Sequence, residues 1–302
     1  MSARRDVALL VAEHQLSERQ ACRLLELDRA TYRYEARPDS NSQLREALLE
    51  LARQKPRYGY RRLWAILDRR GWKVNVKRIY RLYRTEGLMV RRLKRKRLKR
   101  QAPVDSLISR PNQEWALDFV SDALATGRSL RALTIVDSYT RECPAIEVAS
   151  GISSRKVTRT LDKIIEERGK PTSLRCDNGP EFTSRHFVAW CEEKGITLHH
   201  IQPGKPMQNG HIESFNGRLR DECLNASWFL NLADAKRKIE TWRLDYNADR
   251  PHSSLAYRTP AEFAQVCSEL TSRMAANPPD RPSTSVDRTA VLADKGSLNA
   301  AP

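Results

Sequence analysis

The sequence contains no long apolar run. None approaches the roughly 18 residues that a bilayer-crossing helix requires, and Met1 leads into polar sequence rather than a secretory leader. No membrane partner is therefore expected, and a soluble, cytoplasmic chain is. Paired cysteines are missing too. The six present, Cys22, Cys143, Cys176, Cys191, Cys223 and Cys267, are scattered without a CxxC spacing. That argues against a disulfide framework or a zinc knuckle and for reduced thiols. No internal repeat of solenoid length is found. The remaining shortage is of acidic residues near the start.

Residues 1–111 hold 29 Lys and Arg against 12 Asp and Glu, while residues 112–302 hold 25 of each. The whole net charge of +17 thus lies in the first third. A merely solubilising excess has no reason to be confined to one region. A basic front that holds DNA is expected, followed by a neutral body whose carboxylates are available for other work. At 302 residues the chain has room for one good-sized core and smaller modules beside it.

The front reads as helical. Residues 7–34 suggest short helices, with Ser17 as N-cap ahead of a stripe at Ala21, Leu24 and Leu25, so 1–40 form a segment like a helix-turn-helix. Residues 41–90 contain a clearer pair and read as a helix-turn-helix DNA-binding domain. Leu63, Ile66 and Leu67 line a helix that Gly71 ends; Asn75 caps another carrying Val76, Ile79, Tyr80 and Tyr83 at i, i+3, i+4 and i+7. On that second helix Lys77, Arg78, Arg81 and Arg84 are candidates for phosphate or major-groove contact. The run RRLKRKRLKR at 91–100 follows, with Arg91, Arg92, Lys94, Arg95, Lys96 and Arg97 among its cations. Charge so concentrated repels itself until phosphate neutralises it, so 91–111 is expected to be an extended, DNA-contacting linker.

From 112 the composition turns strand-rich and apolar. Strands are expected at 114–122, 131–141 and 144–149, then a helix at 153–168 capped by Ser153. A strand at 172–177, a helix at 184–194, a strand at 196–201 and a helix at 207–224 come next. Three strands followed by alternating helix and strand make an α/β core, a mixed sheet covered by helices. A helix at 232–247 and a Pro-bounded helical segment at 251–265 complete a core over 112–268. Residues 269–302, rich in Pro and Ser, are expected to be a disordered tail.

Three carboxylates in this body need a reason. Asp118 sits in an apolar strand among Trp115, Leu117, Phe119 and Val120, where a charge is costly unless paired. Asp177 ends a strand in the turn CDNGPEF, and Glu213 lies on the helix QNGHIESFNGRLRDECL. Singly, each has an ordinary explanation as a strand-end charge, an Asx-turn former or an exposed helix glutamate. Together they are the oxygen donors that Mg²⁺ takes, and two such ions about 4 Å apart suit phosphodiester chemistry. Arg220 stands with Glu213 and Gly217 at i, i+4 and i+7, on one helix face, where its guanidinium could hold phosphate. Gly217 keeps that face low for a DNA backbone. Gln208 and Asn209, in a Pro- and Gly-rich loop, could donate to DNA or simply form a turn. His211 and His252 lack a second His or Cys at ligand spacing and read as packing or DNA-contact residues. Asp122 and Asp137 read as surface or turn carboxylates.

The strings RYGYRRLW (57–64), WALDFVSD (115–122), DNGPEF (177–182), QNGHIESFNGRLRDECLN (208–225) and YNADRPHSSLAYRTPAEF (246–263) carry a resemblance. Over 7–265 the chain resembles the catalytic subunit of IS3-family insertion-sequence transposases, of the DDE transposase and retroviral integrase superfamily. The 35 residues between Asp177 and Glu213 match that family's spacing. The resemblance implies an RNase H-like integrase core with a mixed five-stranded sheet behind an all-helical DNA-binding region. It implies that Asp118, Asp177 and Glu213 hold two Mg²⁺ or Mn²⁺ ions, with Arg220 as the basic residue on the glutamate's helix. It also implies cleavage and strand transfer on double-stranded DNA, at element ends and target, by an oligomer in the bacterial cytosol. The family often fuses an upstream helix-turn-helix reading frame to this one, so such a partner is expected. One departure is informative: retroviral integrases carry an amino-terminal zinc module of two His and two Cys, whereas residues 1–111 offer only His14 and Cys22.

Overall fold

The computed structural model describes residues 2–35, 41–90, 108–201 and 210–276. The basic run at 91–100, Gln208, Asn209 and the tail beyond Ala276 lie outside the described residues. The chain divides into two compact units, Met1–Ala47 and Leu48–Pro302.

The first unit contains α1 (Ser2–Glu13), α2 (Glu18–Leu24) and α3 (Arg29–Arg33). Ser17 caps α2 in a full capping box: its hydroxyl accepts from the Gln20 amide, and the Gln20 side chain accepts from the Ser17 amide. The buried centre is Val7, Ala21 and Cys22, with Leu25 partly buried against it. Leu24, expected in the stripe, is 67% exposed. Cys22 takes its place because the apolar neighbours lie on that side of Ala21.

The second unit opens within α4 (Ser42–Gln54) and continues through α5 (Tyr60–Arg69) and α6 (Val76–Thr85). Leu63 and Leu67 of α5 are buried, as are Ile79, Leu82 and Tyr83 of α6. The Asn75 side chain accepts from the Lys77 amide at 2.8 Å, and Gly71, at φ +91°, ends the excursion after α5. Tyr80 is half-exposed, tilted against Tyr60 at 4.8 Å, and Leu82 fills the seam instead. Lys77, Arg81 and Arg84 are exposed on α6, and Arg78 is half-buried.

The core sheet has the order β3-β2-β1-β4-β5, built from β1 (Glu114–Ala123), β2 (Ser129–Asp137), β3 (Ala145–Ala149), β4 (Ser173–Cys176) and β5 (Thr197–His200). β1 is central, antiparallel to β2 and parallel to β4, so the sheet is mixed as expected. Period-two alternation gives it two apolar faces. Ala116 and Val120 pack with Ile212, Phe215 and Leu219 of α10 (Gly210–Leu219) and with Ile239, Trp242 and Tyr246 of α11 (Leu232–Ala248). Trp115 and Leu117 pack on the other face with Leu161 of α7 (Ser154–Arg168) and Phe187 of α9 (Arg185–Lys194). A short α8 (Pro180–Thr183) precedes α9.

Two expectations change here. β2 stops at Asp137 rather than at 141, because Asp137 is fully buried and turns the chain, accepting the amides of Asn112, Tyr139 and Thr140 at 2.8 to 2.9 Å. It is not a surface carboxylate. The last helix, α12 (Pro260–Ala276), also outruns both the segment expected at 251–265 and the start of the expected tail at 269. Phe263, Cys267 and the partly buried Val266 and Leu270 keep helical period and pack with Tyr139, so this stretch has a core to join.

Helices α4 to α6 meet the core through ion pairs. Lys55 pairs with Asp245, Arg57 with Asp221, Arg62 with Glu222 and Arg69 with Glu262. All four cations come from the helical segment, and all four carboxylates from the core.

Candidate active site

The β1–β4 ladder pairs Glu114 with Ser173, Trp115 with Leu174 and Ala116 with Arg175. Two further steps along the same register bring Asp118 beside Asp177, one residue past the end of β4. Asp118 shares its strand face with Ala116 and Val120 and so points to the side that α10 covers. On α10, Glu213, Asn216 and Gly217 stand at i, i+3 and i+4, facing the same way.

Asp118 is fastened rather than free. Its Oδ1 accepts the Phe119 amide at 2.7 Å, and its Oδ2 accepts the Asn216 side-chain amide at 2.8 Å. Asn216 is oriented in turn by Thr134, fully buried and paired opposite Asp118 on β2. The Thr134 hydroxyl lies 2.9 Å from Asn216 Oδ1 and 3.1 Å from the Asp118 carbonyl, two acceptors served by one proton. Burial lifts the Asp118 carboxyl to about 6; the Phe119 amide opposes this and Asp177 adds to it, while the Asn216 hydrogen bond lowers it and Glu213 raises it by less. All three acids therefore share one field.

Asp177 is shaped by its turn. Its Oδ1 accepts the Gly179 amide at 3.0 Å, the Asn178 side chain donates to the Ile201 carbonyl at 3.0 Å, and His200 Nδ1 faces the Asp177 carbonyl at 3.2 Å. A Cβ on Gly179 would stand 3.0 Å from Asp177 Oδ1, so any side chain there displaces the carboxylate. Glu213 lies exposed in the first turn of α10, where the helix dipole favours negative charge. Three carboxylates are hard oxygen donors of the kind that suit divalent cations. Among the described residues, no three His, Cys, Asp or Glu side chains are yet gathered closely enough to hold an ion.

Arg220 donates to the Ser121 carbonyl at 3.0 Å, three residues along β1 from Asp118. It sits just after α10, in a π turn (Arg220–Leu224), where a continuous α-helix was expected. Nothing lies within 4 Å of where a Gly217 Cβ would be, so that face is open. His252 is buried and T-shaped against Tyr246; burial, then the nearby guanidiniums led by Arg250, lower it to about 2, so it packs as a neutral ring. All six cysteines are buried and none forms a disulfide. Among the described residues no helix is long and apolar enough to cross a membrane. Sequence reasoning missed Asn216 and Thr134. The i, i+3 spacing from Glu213 could have flagged Asn216; Thr134 depends on strand register alone.

Residues 108–206 match the model of an integrase core domain, 194–260 a second integrase core model and 39–97 an HTH-like domain. The chain is 51% identical over 255 residues to a protein of insertion element IS407 of Burkholderia multivorans, covering 82% of this chain and 91% of that one. It is 47% identical over 268 residues to a protein of insertion element IS476 of Xanthomonas euvesicatoria, covering 86% and 76%. The chain belongs to the IS3 family of insertion-sequence transposases. This transposase is also 27% identical over 262 residues to InsK of Escherichia coli, named as a transposase of element IS150, with 80% and 91% covered. Among solved structures the transposase is similar to a chain of a simian T-cell lymphotropic virus intasome, at TM-score 0.45 and 16% identity, covering 78% and 76%. It is also similar to the HTLV-2 integrase catalytic core domain in complex with magnesium, at TM-score 0.41 and 20% identity, covering 51% and 96%.

Proposed function

We propose that this transposase cuts and joins DNA by DDE chemistry, with Asp118, Asp177 and Glu213 as ligands of two Mg²⁺ or Mn²⁺ ions. The observation that carries this reading is the half-buried Asp118 carboxylate, fastened at both oxygens and raised by desolvation and, by less, by Asp177 and Glu213 from two other elements. When bound, the ions would activate the attacking oxygen and stabilise the leaving 3′ oxygen of a phosphodiester. The chain's own residues do the positioning. The Phe119 amide and Asn216 fix the Asp118 carboxylate, the Gly179 amide fixes that of Asp177, and the first turn of α10 carries Glu213. Arg220, anchored on Ser121, keeps further N–H donors for a phosphate beside the reacting bond.

The same reading assigns DNA to the basic front. Lys77, Arg81 and Arg84 form an exposed stripe on α6 at i, i+4 and i+7, with Arg78 beside them. The cations at 91–97, Gln208 and Asn209 extend the proposed interface. Two element ends and a target require at least two copies at work, in the cytosol, with an upstream helix-turn-helix frame as partner or fusion.

The test is divalent-metal-dependent cleavage of element-end DNA, and strand transfer from a pre-cut 3′ end. Asp118→Asn, Asp177→Asn and Glu213→Gln should each lower both by about 10³-fold or more while duplex binding persists. Full activity in any one of the three sinks the assignment. Hydrolysis without joining would reduce the reading to that of a nuclease on the same core.

A further inference from the structure

The catalytic helix and the helical front meet at one turn. α10 does not stop at Leu219 but opens into the π turn Arg220–Leu224, closed by a bond from the Asn225 amide to the Arg220 carbonyl at 2.8 Å. Such a turn is less regular than an α-helix and persists where its surroundings hold it. Cys223 and Leu224 are buried in the core. The two residues before them are held by arginines. Asp221 pairs with Arg57, and Glu222 receives Arg250 Nε and Nη2 at 2.8 and 2.6 Å and Arg62 Nη1 at 3.5 Å. Between these arginines lies the buried Tyr58 ring, 5.4 Å from the Arg62 guanidinium and 5.7 Å from that of Arg250.

Arg250 belongs to the core, but Arg57 and Arg62 come from RYGYRRLW, in and just before α5. Two of the four cations that tie the front to the core therefore land on consecutive residues directly after Arg220. α10 is thereby pinned at two places: in its middle, where Asn216 holds Asp118, and at its end, where Asp221 and Glu222 are held from the front. A rod of ten residues fixed at both points has one rotation about its axis, and a metal ligand tolerates little error in that rotation. We infer that Arg57 and Arg62 are positioning residues for the catalytic helix: by fixing the π turn they set how α10 presents Glu213 and Arg220. This rests on the assignment of Glu213 as a metal ligand.

The test uses the full-length chain. Arg57 and Asp221 are each nearly half-exposed, so reversing either charge strands none in the interior. Asp221→Arg should lower strand transfer in Mg²⁺, and Mn²⁺ affinity read by electron paramagnetic resonance, about tenfold. Melting temperature and duplex affinity should stay put. Amides 213–224 should exchange hydrogen faster. Combining Arg57→Asp with Asp221→Arg should restore all three to within about twofold, because the pair is re-formed with its ends exchanged. Should the reversal itself lower the melting temperature, Arg57→Gln removes the pair without repulsion and should cost about threefold. Unchanged transfer, Mn²⁺ binding and exchange in the folded single variants would overturn the inference, as would a swap that stays as defective as its parent. Glu213→Gln separates the two possible failures. If that variant binds Mn²⁺ like the wild type, the ligand assignment has failed, and exchange at 213–224 still decides whether the turn is held from α5.

Discussion

Helices α4 to α6 and the sheet core are held by different forces. The helices share a narrow apolar seam, chiefly Leu63, Leu67, Ile79, Leu82 and Tyr83, and are cationic around it. The sheet is apolar on both faces and buries Trp115, Leu133, Phe187, Phe215 and Tyr246. A surface so basic fastens to the core chiefly through charge, beside the ring contacts of Trp64 with Tyr257 and Tyr58 with Arg250, and the core supplies carboxylates. The excess of positive charge in the first third is therefore shared between two tasks. Lys77, Arg81 and Arg84 face outward where phosphate can reach them, while Lys55, Arg57, Arg62 and Arg69 are engaged by Asp245, Asp221, Glu222 and Glu262.

The sharpest way to break this contrast is at the seam carboxylate whose side chain is most buried, Glu222. Glu222→Ala strands Arg250, only 1% exposed, without its carboxylate. It should destabilise the second unit by about 3–5 kcal/mol, seen as a melting temperature lower by roughly 10 °C. A shift as small as that from Arg57→Ala would mean that the seam is uniform. At the site, Asn216→Ala should lower metal-dependent cleavage about 10- to 100-fold with little change in melting, since the half-buried side chain orients Asp118 rather than filling the core. A variant with full activity would leave Asp118 fixed by its own backbone alone.

A smaller effect follows from pH. The Asp118 carboxyl is raised from 3.8 to about 6, so the folded chain binds that proton more readily than the unfolded one. In the absence of divalent ions, this group's contribution is most favourable below the unfolded value and is lost as pH rises through about 6. Wild type without metal should lose roughly 3–5 °C of melting temperature between pH 4.5 and 7 relative to Asp118→Asn. A parallel pH profile in the two proteins would contradict the desolvation of Asp118 and its nearness to Asp177 and Glu213. Smallest of all is the outward face of α6. If about six phosphates are neutralised, log affinity against log salt should have a slope near −5. Lys77→Ala should reduce its magnitude by about one without loss of stability, and an unaltered slope would move the DNA interface elsewhere.

Much of this was legible in the chain itself. The apolar run at 114–122 and the CDNGPEF turn placed one aspartate within β1 and the other just past β4, because strand pattern and the Gly179 turn leave few other conformations there. The Ser17 and Asn75 caps were readable because capping is local. Leu24 and Tyr80 are more exposed than their spacing predicts, and Asp137 is a turn carboxylate rather than a surface one, because burial depends on which neighbour packs against a face and no spacing specifies that. The tail was begun too early for the same reason: the apolar positions of α12 had no visible partner until Tyr139 was placed beside them.

The sequence by itself determined the elements, the segregation of charge and the three acids, since these depend on residues a few positions apart or on composition. Only the tertiary structure decided which cations the core engages, that Thr134 and Asn216 brace Asp118, and that α10 runs into a π turn paired with Arg57 and Arg62. Those contacts join residues roughly 80 to 195 positions apart, and strand register and helix docking set them. Charge and hydrogen bonding then act across distances that are short only once the chain has folded.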